Sequence, residues 1–88
     1  MAAEAHSVLF YTKAGCHLCE EAREMLHRLG HRYPMTVSEV DITSDASLFR
    51  RYQDTVPVVV VDGSLTLGGR IDEGEFREWL KRPREVLY

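Results

Sequence analysis

The sequence predicts an α/β fold in which helices flank a four-stranded mixed sheet, with the element order β-α-β-α-β-β-α. Short apolar runs rich in strand formers alternate with segments of helical periodicity, which indicates a strand-helix-strand unit at the start of the chain. Later, the dipeptide Asp62-Gly63 separates two apolar runs, as a tight antiparallel hairpin requires. The length of 88 residues suits one such domain, residues 1–88, and excludes a second.

The first half of the chain predicts a strand, a helix and a second strand. The run Ser7 to Tyr11 is apolar and precedes the polar turn TKAG, which is typical of a buried strand. From Cys16 onward, apolar residues recur every three or four positions until Gly30, which we expect to terminate a helix. β-Branched residues predict a strand from about Thr36 to Ile42, and the helix between the two strands makes them parallel.

The second half predicts two further helices and a hairpin. Ser44 is the expected N-cap of a helix that runs through Tyr52. Pro57 opens the run PVVVV as the first residue of a strand, a position that tolerates proline. Asp72 is the expected N-cap of the last helix. The residues expected on the core faces of these two helices are Leu48, Phe49, Tyr52, Phe76, Trp79 and Leu80.

Charge and hydropathy exclude several classes of partner. The formal net charge of -3 gives no broad attraction to the phosphates of nucleic acids or to anionic lipids. No apolar stretch approaches the roughly 20 residues that cross a bilayer. The start MAAEAHSVLFYTK also lacks a basic segment before an apolar run. We therefore expect a cytoplasmic protein, by default a monomer, that binds neither nucleic acid nor membranes.

The two cysteines are spaced for chemistry rather than for stapling a fold. Cys16 falls where the first helix begins, so the unpaired amides and the dipole of the helix favour its thiolate, the form that attacks disulfides. Cys19 lies one turn later, close enough to attack a mixed disulfide formed at Cys16 and to release the reduced product. Lys13 and His17 bring positive charge to this turn and two glutamates oppose it, so the net electrostatic effect stays open.

A zinc site is the main alternative for the cysteines. Cys16, Cys19, His27 and His31 form a C-x-x-C pair followed by H-x-x-x-H, which superficially resembles a zinc finger. If residues 19–31 form one helix, Cys19 and His27 lie roughly 12 Å apart along its axis, whereas both would have to lie about 2 Å from a shared ion. We therefore expect no metal site, and we expect the two histidines to be partly exposed near the helix C-terminus.

Three motifs together resemble the glutaredoxin family: YTKAGCHLC, the later TVP, and GG-x-x-D before the last helix. The resemblance spans nearly the whole chain. The segments CHLCEEA, RYQDTVPVVVVDG and GRID followed by WL are similar to a branch of small glutaredoxin-like proteins that is often described only as a domain of unknown function. The resemblance implies a thioredoxin-like fold of the glutaredoxin type, with a cis peptide bond between Val56 and Pro57 that faces the active-site sulfurs.

The resemblance also implies a glutathione site. Cations would bind the two carboxylates of glutathione, the backbone of the TVP motif would pair with its peptide groups, and the last helix would hold its ends. His17 is expected to stabilise the thiolate when it is protonated. Simpler roles as solvated charges, a helix cap or a strand-end turn stay open for several of these positions. The residues assigned to substrate or glutathione are Lys13, His17, Arg51 (or Arg50), Thr55, Val56, Pro57, Gly69 and Asp72.

These residues predict a thiol-disulfide oxidoreductase of cell redox homeostasis. Cys16 would attack a disulfide-bearing protein or a glutathione mixed disulfide, and Cys19 would resolve the product. No permanently bound cofactor is expected, and glutathione is the expected co-substrate. Two alternatives stay open: a glutathione-dependent carrier of a 2Fe-2S cluster, and a non-enzymatic redox sensor or interaction module.

Overall fold

The computed structural model describes residues 5–82. Residues 1–4 and 83–88 lie outside the described part, and the latter hold most of the tail RPREVLY, for which the sequence predicts no element. The elements in chain order are β1 (His6–Thr12), α1 (His17–Gly30), β2 (Met35–Asp41), a 3-10 turn (Ile42–Ser44), α2 (Ala46–Tyr52), β3 (Val58–Val61), β4 (Leu65–Gly68) and α3 (Glu73–Leu80). The predicted order of strands and α-helices is confirmed.

The sheet is mixed, as the sequence predicts. Its strand order is β2-β1-β3-β4, with β1 parallel to β2, antiparallel to β3, and β3 antiparallel to β4. β1 therefore pairs on both sides, and its Val8 lies opposite Val37 and Val61. The hairpin is one residue longer than the predicted two-residue turn, because Val61 pairs with Leu65 and residues 62–64 lie between them.

Helices pack on both faces of this sheet. Phe10 of β1 is 1% exposed, and the Arg23 guanidinium of α1 lies 5.7 Å from the centre of its ring. On the opposite face, Tyr11 stacks on Tyr52 of α2 with ring centroids 4.8 Å apart. Because α2 has only seven residues, it leaves Leu9, also on that face, 37% exposed. The site-bearing helix α1 thus lies on the well-covered face.

The start and the inward face of α2 differ from the prediction. Asp45, not Ser44, is the N-cap: its carboxylate accepts the Leu48 amide at 3.1 Å. The Ser44 hydroxyl is used within the preceding 3-10 turn, where it donates to a backbone carbonyl at 2.7 Å. The predicted core position of Phe49 is wrong, since its side chain is 37% exposed. So short a helix presents one narrow face to the core, and Leu48 and Tyr52 occupy it.

Two element ends also differ in detail. α1 ends at Gly30 as predicted, but not through a left-handed glycine, because the capping residue His31 is itself helical with φ -72° and ψ -22°. The helix ends in two 3-10-type hydrogen bonds, from the His31 amide to the Arg28 carbonyl and from the Arg32 amide to the Leu29 carbonyl. β2 spans Met35–Asp41, so the predicted last strand residue, Ile42, lies in the 3-10 turn, where it is fully buried.

The helix α3 begins and packs as predicted. Asp72 is its N-cap, and one carboxylate oxygen accepts the Glu75 amide at 3.0 Å. Phe76 and Leu80 are buried, and the half-buried Trp79 packs against the core. None of the helices within residues 5–82 is long and apolar enough to cross a membrane.

A buried polar cluster joins β1, the hairpin turn and α3, and the sequence analysis missed it. Asp62 lies 2.6 Å from Nδ1 of His6 and accepts the Trp79 indole N–H at 3.0 Å. Nε2 of His6 lies 3.2 Å from the Leu80 carbonyl, which ties the start of β1 to the end of α3. The sequence pattern alone assigns Asp62 to the hairpin turn, and the structure shows that it also joins these three elements.

Candidate active site

The turn between β1 and α1 places Cys16 at the start of the helix. Gly15 has a φ of 75°, a left-handed conformation that glycine adopts at little cost. Cys16 follows in an extended conformation as the N-cap of α1, and its sulfur accepts the Cys19 amide at 3.2 Å. This hydrogen bond and the positive end of the helix dipole both stabilise negative charge on the sulfur. Cys16 is half-buried, so a substrate sulfur can reach it.

The second cysteine, Cys19, lies in the first turn of α1 and is fully buried. Burial is the main cause that raises the pKa of its thiol above the ordinary value, and the neighbouring Cys16 side chain raises it further. The Thr12 side chain and the Lys13 backbone act in the opposite direction without overcoming burial. Cys19 therefore stays protonated at neutral pH and is shielded from bulky substrates. Both cysteines are free thiols in this structure.

The loop before β3 faces Cys16. The Val56-Pro57 peptide bond is cis, as the resemblance implies, and the Val56 carbonyl lies 4.0 Å from the Cys16 sulfur. The Val56 amide donates to the Tyr52 carbonyl at 3.0 Å and is therefore already used within the chain. The carbonyl beside Cys16 is thus the Val56 backbone group placed to receive a substrate N–H.

The segment after β4 bounds the same loop. The Gly69 amide donates to the carbonyls of both Thr55 and Pro57, at 2.9 Å each. Gly69 has a φ of 66°, which a residue with a side chain rarely adopts. The structure therefore brings Thr55, Pro57 and Gly69 of the predicted set together with Val56, whose carbonyl lies beside Cys16.

The predicted charged residues do not converge on the cysteines. The Lys13 ammonium donates to a backbone carbonyl just after α2 at 3.0 Å, and the Arg51 guanidinium lies 5.8 Å from the centre of the adjacent tyrosine ring. Asp72 is used as the cap of α3. His17 is exposed, and within residues 5–82 no hydrogen bond or ion pair joins any of these four side chains to either cysteine.

The geometry of α1 does not support the zinc alternative. Cys19 lies in the first turn, whereas His27 and His31 are exposed near the other end, with their rings edge to face and the ring centroids 5.0 Å apart. In the part of the chain that the structure describes, no group of three or more histidine, cysteine, aspartate or glutamate side chains could hold a metal ion. The histidines lie near the helix C-terminus, as periodicity predicts.

Two features near the site were missed by the sequence analysis. Thr12 is buried at the end of β1 and influences Cys19, and its inward position follows from the strand alternation that already placed Phe10 in the core. The second feature is a groove of about 320 Å³ between α1 and the β4–α3 segment, here named the α1 groove. Leu18 and Ile71 line it. No local sequence pattern indicates it, because it depends on how that segment packs against the helix.

These features define a class of protein, the thioredoxin-like fold. This fold combines a four-stranded mixed sheet with a C-x-x-C pair at a helix N-terminus and a cis-proline loop beside the first cysteine. A mutant thioredoxin from Halobacterium salinarum NRC-1 matches with a TM-score of 0.72 and 18% identity, covering 97% of this chain and 80% of that one, which shows the fold alone. Protein XcR50 from X. campestris is 30% identical with a TM-score of 0.70, covering 84% and 95%. Protein Ne2328 from Nitrosomonas europaea is 27% identical with a TM-score of 0.77, covering 91% and 96%.

The family is shown by the sequence itself. A protein-family model described as Glutaredoxin-like domain (DUF836) matches residues 7–81. A curated relative, the Glutaredoxin-like protein YDR286C homolog of Dictyostelium discoideum, is 27% identical over 93 residues, which cover 90% of this chain and 86% of the relative. The chain belongs to the glutaredoxin-like family, which confirms the resemblance and supports a redox-type function.

Proposed function

We propose that the chain is a thiol-disulfide oxidoreductase in which Cys16 attacks and Cys19 resolves. The observation that carries the proposal is the position of the Cys16 sulfur, half-buried at the N-cap of α1 and 3.2 Å from the Cys19 amide. The thiolate is the form that attacks disulfides, and the helix N-terminus and this amide point N–H groups at the sulfur where the attack would begin. The buried Cys19 thiol, whose pKa is raised, would stay protonated and unreactive until a mixed disulfide has formed at Cys16.

The proposed reaction has two exchange steps. The Cys16 thiolate attacks one sulfur of a substrate disulfide, so a Cys16-substrate S–S bond forms while the other substrate sulfur leaves as a thiolate and takes a proton. Cys19 then loses its proton and attacks the Cys16 sulfur. The Cys16-Cys19 disulfide forms, and the substrate cysteine leaves as a thiol after protonation. Two electrons have passed to the substrate, and two molecules of a small thiol return the pair to the dithiol as they become a disulfide.

Glutathione is the proposed small thiol. The Lys13 ammonium uses one of its three N–H donors to bind a backbone carbonyl, so the other two can bind a glutathione carboxylate. Arg51 lies on the same side of the sheet. The first amides of α3, which follow Asp72, favour a second carboxylate at the other end. The Val56 carbonyl, 4.0 Å from the Cys16 sulfur, would accept the cysteine amide of glutathione held as a mixed disulfide.

Variants of the two cysteines test the mechanism, because the chain has no other cysteine. Cys16→Ser is expected to abolish reduction of a disulfide substrate. Cys19→Ser is expected to stop after the first step, so intact mass spectrometry after incubation with oxidised glutathione shows one attached glutathione. Leu9→Ser, on the opposite face of the sheet, is the control and is expected to behave like the wild type.

Two outcomes would contradict the mechanism. A Cys19→Ser variant that turns over like the wild type indicates a one-cysteine reaction with external glutathione. A folded Cys16→Ser variant that still reduces disulfides removes Cys16 from the reaction. Circular dichroism of each variant separates loss of chemistry from loss of fold.

A further inference from the structure

The end of β1 carries a buried hydroxyl that lacks a hydrogen-bond partner. Thr12 is the last residue of this strand and is 4% exposed. Within residues 5–82, its Oγ1 is the only buried side-chain oxygen or nitrogen without a partner of ordinary hydrogen-bond geometry. An unpaired buried hydroxyl destabilises a fold, and a valine of nearly the same shape would avoid this effect. Packing alone therefore does not account for Thr12.

The Thr12 side chain lies against the sulfur of the second cysteine. Strand alternation places Thr12 on the same face of the sheet as Val8 and Phe10, and both belong to the core that also contains Cys19. The Thr12 side chain and the Lys13 backbone act on the Cys19 sulfur as hydrogen-bond donors, and each lowers the pKa of its thiol. In the reduced protein the Thr12 contact falls short of an ordinary hydrogen bond, because a neutral thiol sulfur is a weak acceptor.

The resolving step needs a negative charge on this buried sulfur. Cys19 is 0% exposed, and burial is the main cause that raises the pKa of its thiol. In the described part of the chain, the groups that act on the Cys19 sulfur are the Cys16 side chain, the Thr12 hydroxyl and the Lys13 backbone. None of them is a carboxylate or an imidazole that could accept the proton. Hydrogen bonds to the thiolate are therefore what these residues offer to stabilise the charge, and such bonds strengthen when the acceptor is ionised.

We propose that Thr12 is a positioning residue for the resolving cysteine: its hydroxyl donates a hydrogen bond to the Cys19 sulfur as that sulfur becomes a thiolate. The hydroxyl keeps its own proton. The Cys19 proton passes to water, the S–S bond to Cys16 forms, and the substrate sulfur leaves and takes a proton, so the two electrons pass to the substrate as described above. This inference rests on the proposed function and adds a group that acts on its second step, since no hydrogen bond joins Thr12 to the Cys16 sulfur.

The proposal gives stability and chemistry opposite responses to loss of the hydroxyl. Thr12→Val removes the unpaired hydroxyl and keeps the shape of the side chain, so the reduced protein is expected to retain or gain stability in urea. The same change deprives the Cys19 thiolate of a donor and is expected to slow the resolving step. A residue with only a structural role would not produce this pair of effects.

The reaction of the reduced protein with dithiobis(nitrobenzoate) separates the two steps. Cys16 attacks the reagent and releases one thionitrobenzoate at a rate proportional to the reagent concentration. Cys19 then attacks the mixed disulfide and releases a second thionitrobenzoate at a rate that does not depend on that concentration. Stopped-flow absorbance resolves both phases, and neither requires the physiological substrate.

The expected effect of Thr12→Val is confined to the second phase. Loss of one hydrogen bond to a charged sulfur is expected to leave about tenfold less Cys19 thiolate at neutral pH. The remaining thiolate is more basic and therefore attacks faster, which offsets part of this loss. The second phase is thus expected to slow about threefold, and the first phase is expected to keep its wild-type rate.

Two pairs of proteins that differ only by the hydroxyl provide the comparison. Wild type is compared with Thr12→Val, and Thr12→Ser with Thr12→Ala, so that a change in packing or folding cancels within each pair. In each pair the protein with the hydroxyl is expected to show the faster second phase. Thr36→Val, the same change at an exposed position of β2, is the control and is expected to keep both rates.

The outcomes distinguish the inference from the function on which it rests. Equal second phases within both pairs overturn the role of Thr12 and leave the proposed function standing. A first phase that slows as much as the second in Thr12→Val also overturns it, because the hydroxyl would then not act on Cys19 alone. A wild-type protein without any second phase overturns the proposed function itself.

Discussion

Replacing Asp62 with glycine removes a carboxylate that joins three elements of the fold. Its oxygens lie 2.6 Å from Nδ1 of His6 and accept the Trp79 indole N–H at 3.0 Å and the Ser7 amide at 2.8 Å. His6 is 5% exposed, so water does not readily replace the lost partner. Asp62→Gly is therefore expected to leave buried donors of β1 and α3 unsatisfied.

The expected loss is about 3 kcal/mol of the free energy of unfolding, because hydrogen bonds to a charged group contribute about 1.5–3 kcal/mol each and bonds that share one carboxylate are not additive. Asp62 has a φ of 54°, which glycine adopts without strain. Asp62→Ala is expected to lose about 1 kcal/mol more for the left-handed backbone. A chain of 88 residues has a stability of roughly 4–13 kcal/mol, so either loss is a large fraction of the total.

The effect of Asp62→Gly depends on pH with a definite sign. Burial alone would raise the pKa of the Asp62 carboxyl, but hydrogen bonds from His6, Trp79 and Ser7 outweigh burial and lower that pKa below its ordinary value. A carboxyl whose pKa is lower in the folded than in the unfolded protein stabilises the fold. This contribution is fully present when the pH is above the pKa of the unfolded chain, about 3.9, and it is lost as the pH falls through the pKa of the folded protein. The gap between wild type and variant is thus expected to be full near pH 6 and to shrink below about pH 4.

Urea unfolding followed by circular dichroism measures both effects. The wild type, Asp62→Gly and Asp62→Ala are compared near pH 6 and again below pH 4. A difference between wild type and Asp62→Gly under about 0.5 kcal/mol near pH 6, the size of an ordinary surface substitution, would refute this account of the cluster. An undiminished gap in acid would refute the role assigned to the ionised carboxylate.

Two further predictions concern the active site. Gly69→Ala is expected to destabilise the protein by about 1 kcal/mol, because a φ of 66° is unfavourable for alanine. It is also expected to slow disulfide exchange, because a strained backbone would shift the Gly69 amide, which holds two carbonyls of the cis-proline loop. Gly30→Ala at the end of α1, where a Cβ meets nothing within 4 Å, is the matched control, and an equal loss of stability there would argue against the backbone explanation. Lys13→Gln is expected to raise severalfold the glutathione concentration that reduces half of the oxidised protein. Lys81→Gln is the control. An unchanged concentration for Lys13→Gln would exclude Lys13 from the proposed glutathione site.

Local patterns in the sequence were enough to predict the elements that form the active site. The apolar run before the first cysteine, the helical period after it and the hairpin dipeptide each depend on neighbouring residues, and a strand, a helix and a hairpin are present at these places. Only details of the hairpin differ: its turn has three residues instead of two, and β3 begins at Val58 instead of Pro57. The position of Cys16 at the helix N-cap follows from these alone. That the cis-proline loop lies close to the cysteines could be expected only from the family resemblance, because no local sequence pattern places Val56 beside Cys16.

The features that the sequence did not predict depend on contacts between distant segments. Asp62 reads as a turn residue because its partners, His6 and Trp79, are far from it along the chain. Phe49 looks like a core residue by helical period, but a seven-residue helix does not bury every apolar side chain on its surface. The Val56 amide donates to Tyr52 at the end of α2, four residues earlier, and no local sequence pattern indicates this detail of the loop.

The redox titration of the Cys16-Cys19 pair tests the central claim most directly. The protein is equilibrated against defined ratios of reduced and oxidised glutathione, free thiols are blocked by alkylation, and the blocked thiols are counted by intact mass. The account predicts a reversible two-electron transition between dithiol and intramolecular disulfide, near the roughly -200 to -230 mV of glutaredoxins. A protein that forms no intramolecular disulfide at any ratio would contradict it.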